Sequence, residues 1–128
     1  VKKELEHLAE QAFECGEPNI PEDLSQAVKI AADYAARHYR EAVGLGDAAE
    51  AAGVNSTYLS YLFSQEMGIG FANYLLNLRM EHAKKLLRET TLKMWQVAEE
   101  SGFNDYHYFS KVFKKAEGMS PAQYRKHS

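Results

Sequence analysis

The stretch Ala49-Glu50-Ala51-Ala52-Gly53-Val54-Asn55 returns 49 residues later as Ala98-Glu99-Glu100-Ser101-Gly102-Phe103-Asn104. Beyond it the offset becomes 50. Tyr58, Ser60, Phe63, Gly68 and Tyr74 recur as Tyr108, Ser110, Phe113, Gly118 and Tyr124, and Leu59 and Leu62 are answered by Phe109 and Val112. Recurrence at a fixed period marks one supersecondary unit used twice. The second copy gains one residue just after its turn.

Each copy reads as helix, turn, helix. Ala49 and Ala98 are small enough to let a second helix cross closely, and Gly53 and Gly102 supply a turn in which positive φ carries no steric penalty. Val54 and Phe103 plug the angle between the helices. Asn55-Ser56 and Asn104-Asp105 offer side-chain oxygens to cap the second helix.

Outward from the repeat, apolar residues recur at spacings of three and four, and long alternating runs of Val, Ile and Thr are absent. The expected fold is all-α. Helices are expected over 24–39, with Ala27, Val28, Ala31, Tyr34 and Ala35 facing inward, and over 46–52, 56–67, 95–101 and 106–117. Between the pairs, 71–89 reads as one helix about 28 Å long at 1.5 Å per residue. An extra amphipathic helix is expected over 2–14, with Leu5, Leu8, Ala9, Ala12 and Phe13 on one side, stopping at Gly16, Pro18 and Pro21. The domain reading is a connector over 1–23, a first unit over 24–69, a linker helix over 70–90 and a second unit over 91–128.

The 128 residues are 45% hydrophobic, enough for one compact domain or two small ones. Cys15 alone cannot form an internal disulfide and reads as a spectator thiol. No apolar run approaches the roughly 20 residues that span a bilayer, and the opening Val1-Lys2-Lys3-Glu4 lacks a signal peptide's apolar stretch. A soluble cytoplasmic protein without membrane contact is expected. Because the chain opens on Val rather than Met, it reads as a fragment whose sensing domain is missing.

Net charge is -3, yet its distribution is uneven. Residues 1–40 carry 5 Lys or Arg against 8 Asp or Glu, and residues 41–78 carry none against 4. Residues 79–128 carry 10 against 6, so basic charge gathers in the last fifty residues.

The second copy, Gln96-Val97-Ala98-Glu99-Glu100-Ser101-Gly102-Phe103, then Tyr108-Phe109-Ser110-Lys111-Val112-Phe113-Lys114-Lys115 and Gly118-Met119-Ser120-Pro121-Ala122-Gln123-Tyr124-Arg125, resembles the signature of the AraC/XylS family of bacterial transcription regulators. Tyr58-Leu59-Ser60-Tyr61-Leu62-Phe63 and the linker's Arg79, Ala83, Lys84, Leu86 and Leu87 resemble it too. The similarity covers roughly residues 27–126. It implies about seven helices with a helix-turn-helix on each side of a linker helix, promoter DNA as partner, and usually activation. RNA polymerase and a homodimer through the missing domain are the further partners expected, and residues 1–23 resemble the connector to a receiver or ligand-sensing domain.

Helix geometry assigns the faces independently. At 100° per residue, Val112, Phe113 and Ala116 fall within about 60° of Phe109, whereas His107, Lys111 and Lys114 fall within about 40° of the opposite direction. Tyr108 and Lys115 flank that outer face. In the first unit Leu59, Leu62 and Phe63 point inward, Thr57, Tyr61 and Ser64 are outermost, and Tyr58 and Ser60 flank them. The resemblance implies base contacts at Thr57, Ser60, Tyr61, Tyr106, His107 and Lys111, in agreement with these faces. Lys111 can donate to guanine O6 and N7, and His107 can donate or accept at a base edge. Lys114 and Lys115, with Tyr58 and Tyr108, are the candidate phosphate contacts. The first recognition helix carries no cation, which departs from a basic reader.

Trp95 is set against Gly46 by the repeat, with Met94 and Val97 inward. A partly exposed indole is expected, either packed near Leu92 or reaching a phosphate or a partner. His7, His38, His82 and His127 lack metal-ligand spacing, and Glu99 and Glu100 diverge on a helix. No nucleophile, base and orienting acid form a set, and no glycine loop cradles phosphate. No enzyme, metal or cofactor is expected; the alternative function is a helical protein-interaction module.

Overall fold

The computed structural model describes residues 24–128. Among them are seven helices and no strand: α1 (Gln26–His38), α2 (Leu45–Ala52), α3 (Ser56–Met67), α4 (Phe71–Glu89), α5 (Met94–Glu100), α6 (Tyr106–Glu117) and α7 (Pro121–Lys126). The helix expected over 2–14 lies outside the described residues. Two compact units result, one of residues 24–38 with Val43–Leu75, the other of Tyr39–Ala42 with Leu76–Ser128. Helix α4 therefore begins in the first unit and continues in the second.

In the first unit, small residues let helices approach closely. Ala31, Ala32 and Ala35 of α1 and Ala48 and Ala49 of α2 are buried, and Leu59 and Phe63 of α3 close the core with Phe71, Tyr74 and Leu75. Phe63 meets Phe71 and Tyr74 edge-on, both at 5.4 Å, the arrangement aromatic quadrupoles favour. Burial pushes the Tyr74 phenol up to about 12, and the Asp33 charge adds to the shift. Glu66, in the last turn of α3, accepts from the Ser25 N–H at 2.7 Å and from its hydroxyl. That carboxylate satisfies donors at the start of α1 that the helix itself leaves open.

The second unit is built on larger side chains. Met80, Ala83 and Leu87 of α4 pack with Val97 and Ala98 of α5, Phe103 of the turn, and Phe109 and Phe113 of α6. The rings form a chain: Phe103 to Phe109 at 4.9 Å, Phe109 to Phe113 at 5.6 Å and Phe113 to Tyr124 at 5.5 Å. Helix α7 begins at a reciprocal cap, with Ser120 Oγ accepting from Gln123 N–H and Gln123 Oε1 from Ser120 N–H, and with Pro121 at its first position.

The short segment Tyr39–Ala42 is tied to the second unit by arginines. Arg79 donates to the carbonyls of Tyr39 at 2.6 Å and Glu41 at 2.9 Å. Arg40 donates to the Glu100 carbonyl at 2.8 Å and carboxylate at 2.7 Å. The Tyr39 hydroxyl lies 3.0 Å from His82 Nδ1. Burial holds that imidazole below its usual range, with Arg40 and Lys85 adding to the depression and Glu100 opposing it.

Helices α3, α4 and α6 have the bounds their spacing predicts, and α2 and α5 each begin one residue earlier. Helix α7 is too short, at six residues, for periodicity to register. One inward assignment is corrected: Ala116 is exposed. Its direction matches Phe109, but Phe113 is the last α6 side chain in the core, so a methyl in the final turn has nothing beneath it. No helix among the described residues is long and apolar enough to cross a membrane.

Candidate nucleic-acid interface

Both second helices of the repeat are fixed at their starts by side-chain caps. Asn55 Oδ1 accepts from the Tyr58 N–H at 2.8 Å, and Asp105 Oδ1 from the His107 N–H at 2.9 Å. Each cap satisfies an orphan donor of the first turn. The turns before them carry Gly53 at φ +75° and Gly102 at φ +98°, which turns the chain from one helix into the next. Behind the turns, Phe103 is buried and Val54 half-buried, the plugs expected of them.

With its start capped and Phe109 and Phe113 fully buried, α6 can present only one other face. Tyr106, His107, Tyr108, Lys111, Lys114 and Lys115 are all exposed on it or flanking it. The Tyr106 and His107 rings lie 5.9 Å apart, and Tyr108 leans toward Phe103 at 6.3 Å. Lys111, Lys114 and Lys115 make no hydrogen bond or ion pair among the described residues. Several other cations of this unit are engaged: Arg79 and Arg125 on backbone carbonyls, and Lys84 on Glu81 at 3.0 Å and Glu117 at 3.4 Å, whereas among the described residues Lys85, Lys93 and Lys126, like the α6 lysines, are not. The distinction matters, because a lysine already satisfied by the protein must exchange partners before it can neutralise a phosphate.

On α3, Leu59 and Phe63 are buried, and Thr57, Tyr58, Ser60, Tyr61 and Ser64 are exposed, Tyr61 most of all at 64%. This face holds hydroxyls and two phenol rings without a cation. It can make single hydrogen bonds and apolar contacts to thymine methyl groups, the weaker forms of direct readout. The two faces are therefore built alike and charged differently.

Trp95 is 55% exposed, as its place in the repeat predicts. It borders a groove with Arg40, Glu99, Phe103, Asn104 and Tyr106. Sequence reasoning had no means of placing Arg40 there, since counting charge along the chain groups it with residues 1–40. Among the described residues no three His, Cys, Asp or Glu side chains gather as a metal site.

A family model described as a helix-turn-helix domain matches residues 48–127, which takes in both helix pairs and α4. The chain belongs to the AraC-type helix-turn-helix family. That is a family of DNA-binding transcription regulators and not a class of enzymes. An uncharacterized transcriptional regulator of Bacillus subtilis, YisR, is 38% identical over 120 residues, 94% of this chain and 40% of that protein. This AraC-type chain thus spans about two fifths of that relative's length. Among solved structures, the C-terminal domain of AraT, a response regulator from Geobacillus stearothermophilus, aligns with TM-score 0.80 and 41% identity, covering 83% of this chain and 88% of that one. The C-terminal domain of the two-component response regulator yesN from Fusobacterium nucleatum aligns at 0.75 with 39% identity, covering 79% and 99%.

Proposed function

We propose that this AraC-type domain is the DNA-reading part of a sequence-specific transcription activator, which inserts α3 and α6 into two successive major-groove segments of a promoter. The observation that carries the reading is on α6. One side of that helix is pinned by Phe109 and Phe113, and the other presents Tyr106, His107 and Lys111 with the unpaired Lys114 and Lys115. Lys111 reads a guanine edge, His107 an adjacent base, and Lys114 and Lys115 neutralise phosphates, with Tyr58 and Tyr108 as further backbone donors. Thr57, Ser60 and Tyr61 read the other segment with less electrostatic help. A second copy, joined through a preceding domain, would supply the affinity that α3 lacks, and RNA polymerase is the partner an activator needs. Likeness to two response-regulator C-terminal domains supports a receiver as that preceding domain.

Selection from a pool of randomised duplexes, followed by affinity measurements across salt concentrations, tests the proposal. One recurring motif should emerge. If Lys114 and Lys115 neutralise phosphates, log K should fall with log salt at a slope of about -2, near -0.9 per neutralised phosphate. Retention of no duplex above the unselected pool would exclude the reading in favour of a protein-binding module.

Within the selected motif, Lys111→Ala should cost about 1 to 3 kcal/mol and relax the preference at one position. Lys115→Ala should weaken every duplex alike and lower the salt slope by about 1. Equal, sequence-independent losses from the two substitutions would make Lys111 a phosphate contact.

A further inference from the structure

Among the described residues, two large apolar side chains are exposed outside the recognition helices, Ile69 and Trp95. Trp95 is the informative one. It is the second residue of α5, and it shares its groove with Tyr106, the first residue of α6. The starts of both helices of the second helix-turn-helix therefore meet at one groove, and the Tyr106 ring at its edge lies beside His107 on the proposed reading face.

The groove's lining carries several hydrogen-bond donors. Trp95 offers an indole N–H, Tyr106 a hydroxyl and Asn104 an amide, all on exposed residues. Arg40 directs Nε and Nη2 to Glu100, which leaves Nη1 without a partner among the described residues. Among the described residues, Glu99 is the one carboxylate in the lining, and it stands about one helical turn beyond Trp95. A ligand rich in acceptors and poor in donors fits the Trp95 to Tyr106 end and avoids Glu99. A phosphodiester backbone has that chemistry, and it also offers a sugar against which an indole face can pack.

We infer that this groove takes the sugar-phosphate backbone of the strand bordering the major groove read by α6, with Trp95 Nε1–H donating to a phosphate oxygen. The inference rests on α6 being a recognition helix. It adds a backbone clamp that lies on the first helix of the unit and is absent from the first copy of the repeat, where Gly46 stands in place of Trp95.

The test uses the duplex recovered by selection and the intact chain. Trp95 is its only tryptophan, so its emission should shift on titration with that duplex. Trp95→Phe keeps a ring but loses the N–H and should weaken binding roughly threefold to tenfold, equally for matched and mismatched duplexes. Because no charge is removed, the salt slope should stay the same, in contrast to Lys115→Ala. Glu99→Gln should tighten binding. If wild-type protein binds the duplex while Trp95 emission is unmoved, or if Trp95→Phe and Trp95→Ala both bind within twofold of wild type, the clamp is wrong and α6 remains the reader. Weakened binding by Glu99→Gln would mark the groove as a seat for a basic protein segment and would equally overturn it. Failure of the wild type to bind any duplex removes the recognition reading and the clamp together.

Discussion

Gly102→Ala should destabilise the second unit severely, while Gly53→Ala, at the equivalent place in the repeat, should cost much less. Both glycines have positive φ, +98° and +75°, and an alanine in that region costs about 1 to 2 kcal/mol. The rest of the cost differs. A Cβ at Gly53 would meet nothing within 4 Å, whereas one at Gly102 would lie 2.5 Å from the Tyr39 carbonyl oxygen, 3.0 Å from the Arg40 Cα and 3.0 Å from the Arg79 Nε. The arginine tip could swing away only by giving up its bond to the Tyr39 carbonyl. The backbone could not, because the Tyr39 carbonyl is itself held by Arg79 and the neighbouring Arg40 by Glu100. Overpacking against fixed atoms adds about 1 to 3 kcal/mol, so the total is about 2 to 5 kcal/mol against a usual stability of about 5 to 15 kcal/mol. Urea unfolding followed by far-UV circular dichroism, with Trp95 emission reporting the second unit alone, measures both variants. Equal losses at the two glycines would show that the strap of residues 39–42 yields freely.

This contrast also marks what a single sequence could disclose. The repeat makes Gly53 and Gly102 look equivalent, and their turn conformations are. What separates them is the strap, and its bonds run from Arg79 to carbonyls 40 and 38 residues away and from Arg40 to Glu100 across 60 residues. Backbone carbonyls are the same in every residue, so an arginine that caps one leaves no pattern to read. Helices α3 and α6, by contrast, were legible in their bounds and caps. Their caps, inward stripes and terminal glycines Gly68 and Gly118 are local, and local rules decided them. The outer faces followed by subtraction: once Phe109 and Phe113 are inside, Lys111 has to be outside. Ala116 shows where that reasoning stops, since an angle gives direction but not whether another helix lies in that direction. The groove at Trp95 was half legible. The repeat turned the indole outward, but Arg40 reaches that groove only through the strap.

Inserting five base pairs between the two halves of the selected motif should abolish tight binding by a single chain. Helix α4 is 19 residues long, about 28 Å of continuous helix, and successive major-groove segments on one face of B-form DNA recur every 34 Å or so. A helix of fixed length cannot follow an added separation of about 17 Å, and half a turn of rotation carries the second segment to the opposite face of the duplex. One unit must then let go. The unit that stays should be the second, because on the proposed reading Lys111, Lys114 and Lys115 supply the charge-dependent part of the affinity, and α3 carries no cation to add to it. Losing the contacts of Thr57, Ser60 and Tyr61 together, at about 1 kcal/mol each, the low end for a base contact, weakens binding by roughly a hundredfold. Footprinting should show protection shrinking to the segment that Lys111→Ala alters. An inserted duplex that binds within threefold of the parent would mean that one unit does all the reading. A ten-base-pair insertion sharpens the result. It restores the rotational phase but adds about 34 Å, which one chain cannot span, so binding should remain weak; recovery there would require two copies of the protein, each using one unit.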